Sequence, residues 1–144
     1  MISTTWKTAT LILLITLCPL ANAADPPEVA LSPAEAAVIS RQIGNLKSST
    51  DANVAMGWSN AKKVAELICR PAALFLLKKQ IKGADRVFLG TDAPQTLILE
   101  SSQRLTGSGQ VRTPRGWQDF TFICNLNPAT AKVIGFQTVP LLGR

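Results

Sequence analysis

The chain has 144 residues, is 47% hydrophobic and 17% charged, and sets 15 Lys+Arg against 9 Asp+Glu, a formal net charge of +6. It contains no histidine and no tyrosine, which excludes Ser-His-Asp and Cys-His catalysis in their usual forms, histidine-ligated zinc and a phenolic acid or nucleophile. The basic balance favours anionic partners such as nucleic acid, lipid headgroups or acidic polysaccharide. The plainer reading is a solvated basic surface.

Residues 1–23 read as a secretory signal peptide. A short polar start with Lys7 precedes the apolar run Ala9–Leu20, and Ala21-Asn22-Ala23 supplies a small-x-small cleavage site. The apolar run is too short for a hydrocarbon core that needs roughly 20 residues, which disfavours the rival reading of a membrane anchor, and no later segment is apolar enough to span a membrane after cleavage. The chain is therefore expected in the periplasm or secreted, where nucleic acid is not an expected partner. Residues 24–31, with Asp25-Pro26-Pro27-Glu28, read as a flexible arm. Residues 32–144 read as a single α+β domain.

The first helix is announced by Ser32-Pro33-Ala34-Glu35, a capping box with proline at the first helical position. Ile39, Ile43 and Leu46 continue it to about residue 47. Lys47–Asp51 is a polar break, and Ala52–Trp58 is ambiguous because Val54, Met56 and Trp58 alternate as in a strand. Ser59 caps a second helix with Val64, Leu67 and Ile68 inside and Lys62, Lys63 and Glu66 outside. Pro71 should kink that helix or restart it. Leu74, Leu77 and Ile81 then carry it to Lys78, Lys79 and Lys82, where cations suit the helix dipole, and Gly83 stops it.

Beyond Gly83 the hydrophobic period changes to that of strands. Asp85–Gly90, Thr96–Glu100 and Arg104–Arg112 are predicted as three strands, with Asp92–Gln95 as a turn. Leu105, Gly107, Gly109 and Val111 share one face of the third, where the glycines leave room for a close neighbour such as a helix. Thr113-Pro114-Arg115-Gly116 turns the chain into a fourth strand with Phe120, Phe122 and Cys124 on one face and Asp119, Thr121 and Ile123 on the other. Asn127-Pro128 opens a turn, and Ala131–Val139 is a fifth strand. Short connections imply antiparallel pairing. The predicted fold is α+β, with N-terminal helices packed on a four- to five-stranded antiparallel meander.

Loss of the leader removes Cys18 and leaves Cys69 and Cys124. An even count in an exported chain favours a helix-to-strand disulfide. The alternatives are two buried thiols, or redox use without the Cys-x-x-Cys pair that normally lowers a thiol pKa.

Ala61-Lys62-Lys63-Val64-Ala65-Glu66-Leu67-Ile68-Cys69-Arg70-Pro71-Ala72-Ala73-Leu74 is followed by Gly83-Ala84-Asp85-Arg86-Val87-Phe88-Leu89-Gly90. Leu105-Thr106-Gly107-Ser108-Gly109 and Gly116-Trp117-x-x-Phe120-x-Phe122-x-Cys124 come next. This order resembles small exported bacterial proteins grouped as domain of unknown function 930, over about residues 58–139. The resemblance implies an exported one-domain module with a helix-to-strand cysteine pair, and no activity or site residue comes with it.

Ser59-Asn60-Ala61-Lys62 has the Ser-x-x-Lys spacing of serine acyl-enzymes, but a capping serine beside a surface lysine explains it. Asp85, Asp92, Glu100 and Asp119 are the acids available for paired-carboxylate chemistry, and nothing in the sequence makes two of them converge. No catalytic, cofactor-binding or metal-binding residue is assigned. The positive lead is basic: Lys78, Lys79, Lys82, Arg86, Arg112 and Arg115, with Trp117 beside the last two. Cations and an aromatic ring on a loop are what anion and glycan contacts use; the alternative is charge that protects a sheet edge. The leading expectation is an exported, non-enzymatic module that binds an anionic envelope polymer or protein. A structural or inhibitor-like interaction protein comes second and a small hydrolase third. The intact mass of the exported protein is expected to match cleavage after Ala23 less two hydrogens; a retained Met1 or two alkylatable thiols would overturn that expectation.

Overall fold

The computed structural model describes residues 27–91 and 95–140. The predicted signal segment, the first residues of the arm and most of the Asp92–Gln95 turn lie outside them. Helix α1 (Pro33–Gly44) is set by the expected capping box: Ser32 Oγ accepts from Glu35 N at 3.2 Å and Glu35 returns a carboxylate to Ser32 N at 2.8 Å. Ile39 and Ile43 are its buried apolar residues. Helix α2 (Ser49–Met56) occupies part of the polar break and most of the ambiguous stretch. The apparent strand alternation there is misleading, since Val54 and Met56 are exposed and Ala55 is the residue buried. Ser48 Oγ caps this helix at Asp51 N. Residues 27–31 form no helix or strand, yet they are tied to the domain. Glu28 accepts from Asn60 N, Asn60 Nδ2 donates to Val29 O, and Val29 and Leu31 pack on the core.

The central helical run is continuous in three pieces, α3 (Asn60–Val64), a π-helical turn (Ala65–Cys69) and α4 (Arg70–Gln80). The turn explains how the chain passes Pro71. A proline in a regular α-helix removes one hydrogen bond and clashes with the carbonyl four residues back. Widening the preceding turn, with Arg70 N–H bonded to Ala65 O, moves the backbone out of α register just before the ring. The predicted break thus takes the form of a local change of pitch. Helix α4 ends at Ile81, and Gly83 has the left-handed φ of +79° needed for the exit.

Strands β1 (Arg86–Leu89), β2 (Leu97–Ser101), β3 (Arg104–Thr113), β4 (Gly116–Asn127) and β5 (Lys132–Pro140) form one antiparallel sheet. β1 and β2 lie end to end along the same edge of β3, because Leu89 pairs with Gly109 and Leu97 with Gly107. The chain leaves that edge after Gly90, whose N–H bonds Ser108 O, and returns at Thr96, whose carbonyl accepts from Ser108 N. The sheet is therefore a meander of four rows with a broken first row. Among the described residues, β5 is the other edge strand.

One face of the sheet is buried under the helical run. Val87, Leu89, Leu99, Leu105, Val111, Phe120, Phe122, Cys124 and Leu126 point into the core with Val64, Ala65, Ile68, Ala73 and Leu77. The glycine gaps on β3 are filled from within the sheet. A Cβ on Gly109 would sit 2.7 Å from the Phe120 ring, and one on Gly107 would strike the Thr96 carbonyl. Phe122 stacks on Phe136 at 5.4 Å and meets Phe120 edge-on at 6.3 Å. The Cys69–Cys124 disulfide joins the π turn to β4, across 55 positions of sequence, with both residues fully buried. A Cys69→Ala/Cys124→Ala variant is expected to lose roughly 4 kcal/mol of stability in urea unfolding at neutral pH, the chain-entropy value for a loop of this size. A loss below about 1 kcal/mol would show that the closed loop contributes little.

Candidate anion-binding surface

Among the described residues, the other face of the sheet carries no helix. Register places Arg86, Arg112 and Trp117 in one cross-strand row, and Phe88, Gln110 and Asp119 in the next. Residues directly opposite on antiparallel strands share a face, so the two rows lie side by side. Phe88 stacks on Trp117 with centroids 5.2 Å apart and planes at 25°. Both rings are exposed, and they form a flat aromatic shelf. Arg112 lies over the shelf, 6.0 Å from the Trp117 centroid.

Arg112 is already engaged. Its Nε and Nη2 donate to the two carboxylate oxygens of Asp85 at 2.8 and 2.6 Å. A bidentate pair of this kind aligns the guanidinium and satisfies most of its charge locally. The Arg112 hydrogen bonds hold the Asp85 carboxyl below its ordinary pKa, with the positive charges of Arg112 and Arg86 adding to the effect. The same bonds raise Arg112. Next to the pair, Gln110 Nε2 donates to Asp119 at 2.7 Å.

Arg115 and Lys82 come together elsewhere. The β3–β4 hairpin turn packs against the exit of α4, where the Pro114 ring sits so close to Gly83 that a Cβ there would be 2.6 Å away. Thr113 Oγ1 accepts from Arg115 N at 3.2 Å and donates to Gly116 O at 3.0 Å, which sets the turn. Ile81, Lys82, Gly83, Thr113, Pro114, Arg115 and Gln118 then line a recess of about 370 Å³. Among the described residues neither Lys82 nor Arg115 forms a salt bridge. Arg86 forms none either and lies in the row beside Asp85 and Arg112. Lys78 and Lys79 belong to a different surface, the exposed stripe of α4, where the Lys79 ammonium lies 4.0 Å from the Phe75 centroid.

The predicted cations thus divide into a recess pair (Lys82, Arg115), a sheet row (Arg86, Arg112, with Trp117) and a helical stripe (Lys78, Lys79). Sequence reading missed Phe88 and Phe75. The strand period places Phe88 on the same face as Arg86, and helical spacing places Phe75 one turn before Lys78 and Lys79, so both were within reach of pattern arguments. It missed Asp85 as the partner of Arg112 because the two are 27 positions apart.

One sequence assignment is corrected. Glu66, expected outside, is 9% exposed and accepts from Lys62 Nζ at 3.0 Å and from Arg70 at 2.9 Å. The reason is the π turn, which rotates Glu66 inward between two cations spaced four residues to either side. Lys62 Nζ also donates to Leu89 O at 3.4 Å, so its amine is directed at Glu66 and β1. Ser59 Oγ accepts from the Lys62 backbone N–H as a helix cap. Three of the four candidate acids are held by different donors: Asp85 by Arg112, Glu100 by Arg104 and Asp119 by Gln110. Asp92 lies outside the described residues.

Two further recesses among the described residues lie elsewhere on the surface. One, of about 580 Å³ between Glu100, Arg104, Asn125 and Gln137, has its arginine paired with Glu100. The other, of about 590 Å³ between α1 and α2, is lined by Ile43, Leu46, Ala52 and Met56 with Lys47 at its margin. Neither gathers two unpaired cations. Among the described residues no helix is long and apolar enough to cross a membrane.

The molecule is an α+β module in which, among the described residues, helices cover one sheet face and leave the other open. No family model, curated protein or solved structure matches the chain, so the role of its surface is argued from its own geometry.

The depressed Asp85 pKa has a defined consequence. Its contribution to stability is present above the unfolded carboxylate pKa and is lost as pH falls through the lower folded value. Arg112→Gln is expected to move the Asp85 carboxyl back up toward its ordinary value in an NMR pH titration. An unchanged titration in that variant would mean that the pair does not persist in solution.

Proposed function

We propose that this protein is an exported binding module for an anionic polymer of the cell envelope, and that the recess between Lys82 and Arg115 takes an anionic group of that polymer. The observation that carries this reading is the meeting of two unpaired cations, from distant parts of the chain, at one concave site. Gly83 and the β3–β4 turn form its backbone walls. Arg86 and the Phe88–Trp117 shelf lie on the adjoining sheet face, where a sugar ring can stack and a second anion can be met. Export is supported by the leader-like N-terminus and by a disulfide suited to an oxidising compartment. The resemblance to the exported proteins grouped as domain of unknown function 930 would fit this placement and supplies no ligand of its own.

A protein partner is the second reading, and β5 is the observation that favours it. This edge strand of nine residues has Ile134 and Val139 exposed and a single charge, Lys132, at its start. An open edge of that kind accepts an added strand. Edge pairing would depend on β5, whereas polymer binding would depend on the recess.

Alginate, a uronate polysaccharide, serves as a probe in calorimetric titration at low salt. The wild type is expected to bind, and Lys82→Ala/Arg115→Ala to bind roughly tenfold more weakly, since exposed ion pairs contribute up to about 1 kcal/mol each. Binding should also weaken as salt rises. Equal affinity in the two proteins, or no binding by the wild type, removes the recess as the site.

A further inference from the structure

The exposed side of α4 combines an uncovered aromatic ring with unopposed positive charge. Phe75 is 65% exposed, more than any other aromatic residue described. Lys79 follows one turn later with its ammonium over the ring, and Lys78 lies beside it on the same stripe. No acid occurs between Glu66 and Asp85. Glu66 is buried between Lys62 and Arg70, and Asp85 is bound to Arg112, so neither nearby carboxylate offsets the lysines. The opposite side of α4 is committed to the core through Ala73 and Leu77. Phe75 is therefore not a core residue displaced by local fit.

We infer that this face of α4 docks on the surface of an anionic phospholipid bilayer, with Phe75 entering the interface and Lys78 and Lys79 meeting lipid phosphates. An aromatic ring at the headgroup boundary and lysines able to extend to the phosphate plane are the two components of interfacial binding by a helix that lies along a membrane. Charge complementarity selects the occupant. An uncharged apolar groove would have no use for adjacent lysines, and a neutral partner would leave them without counter-charge. The contact between Lys79 and Phe75 suits the transition. In water the ammonium shields the ring, and at the bilayer the flexible stem lets the charge move to a phosphate while the ring enters the interface. The helix is firmly placed for this role, because the adjacent Cys69–Cys124 disulfide ties the helical run to β4 and the Glu66 ion pairs tie α4 to α3. Docking leaves the open sheet face and the β3–β4 turn on other elements of the molecule. The inference uses the exported placement proposed above and does not use the Lys82–Arg115 recess.

Vesicle co-sedimentation tests it. The protein without its leader is expected to bind vesicles of phosphatidylglycerol and phosphatidylcholine, and not vesicles of phosphatidylcholine alone. Phe75→Ala is expected to reduce binding roughly tenfold, and Lys78→Ala/Lys79→Ala to reduce it by a similar factor and to flatten its salt dependence. Phe75→Trp should retain binding, and its added fluorescence should shift to shorter wavelength on anionic vesicles. Lys82→Ala/Arg115→Ala, which disables the recess, should still sediment. Absence of binding to anionic vesicles overturns the inference and leaves an acidic protein surface as the occupant of the stripe. Binding that is indifferent to Phe75→Ala, with no spectral shift in Phe75→Trp, also overturns it. If vesicle binding is lost only in the recess variant, the recess and not α4 holds the lipid.

Discussion

Two buried half-cystines hold the widest part of the helical run against the middle of the sheet. Much of the architecture depends on that contact. Cys69 closes the π turn, and Pro71 follows two residues later, so the bridge lies where the helix changes pitch. Cys124 pairs in register with Leu105 and Phe136, in the row that ends at Leu99. One covalent link thus sets helix position and sheet position together. It also limits how far the helical run can slide over the sheet, which matters because a small helix–sheet interface has few large side chains to interlock. Phe120, Phe122 and Phe136 contribute the aromatic part of it, and stacked or edge-on rings add about 0.5–1.5 kcal/mol per pair beyond area burial.

The polar groups inside the helical layer are less uniform. Glu66 is buried with its charge matched by Lys62 and Arg70. Removing both cations would leave a poorly solvated carboxylate without a counter-charge, which is far more costly than loss of an exposed pair. Glu35 is fully buried, and while its Oε2 accepts from Ser32, its Oε1 has no hydrogen-bond partner among the described residues. A buried polar atom left unpaired costs on the order of 1–3 kcal/mol. The capping box therefore fixes the start of α1 at some expense to its own stability.

On the surface, local neutralisation decides which charges remain open to a ligand. Arg112 stands in a row with Arg86 and Trp117, yet Asp85 holds its Nε–Nη2 edge in a bidentate pair. Among the described residues Lys82 and Arg115 have no such partner, and they face one recess. Lys79 is drawn over Phe75, leaving a cationic and aromatic stripe separated from the recess by the end of α4. Two surfaces of similar composition can therefore serve different partners. Their distinction rests on shape, since one is concave and backbone-walled and the other is the convex side of a helix.

Much of this fold was legible from local pattern. The capping box at Ser32, the cap at Ser59, the stop at Gly83, the strand alternation through Phe120, Phe122 and Cys124, and the two hairpin turns all act within a few residues. Their chemistry holds wherever the segment is placed. Ala52–Trp58 was misleading because alternation over a short, alanine-rich stretch fits both periods, and packing of Ala55 in the core settles it as helix. The burial of Glu66, the conversion of a proline break into a π turn, the capture of Arg112 by Asp85 and the meeting of Lys82 with Arg115 were not legible. The first two follow from the pitch of one turn inside the helical run, and the last two from the register between segments far apart in the chain. Composition shows how many positive charges there are, but the distances between segments show which of them are already neutralised and which are left for a partner.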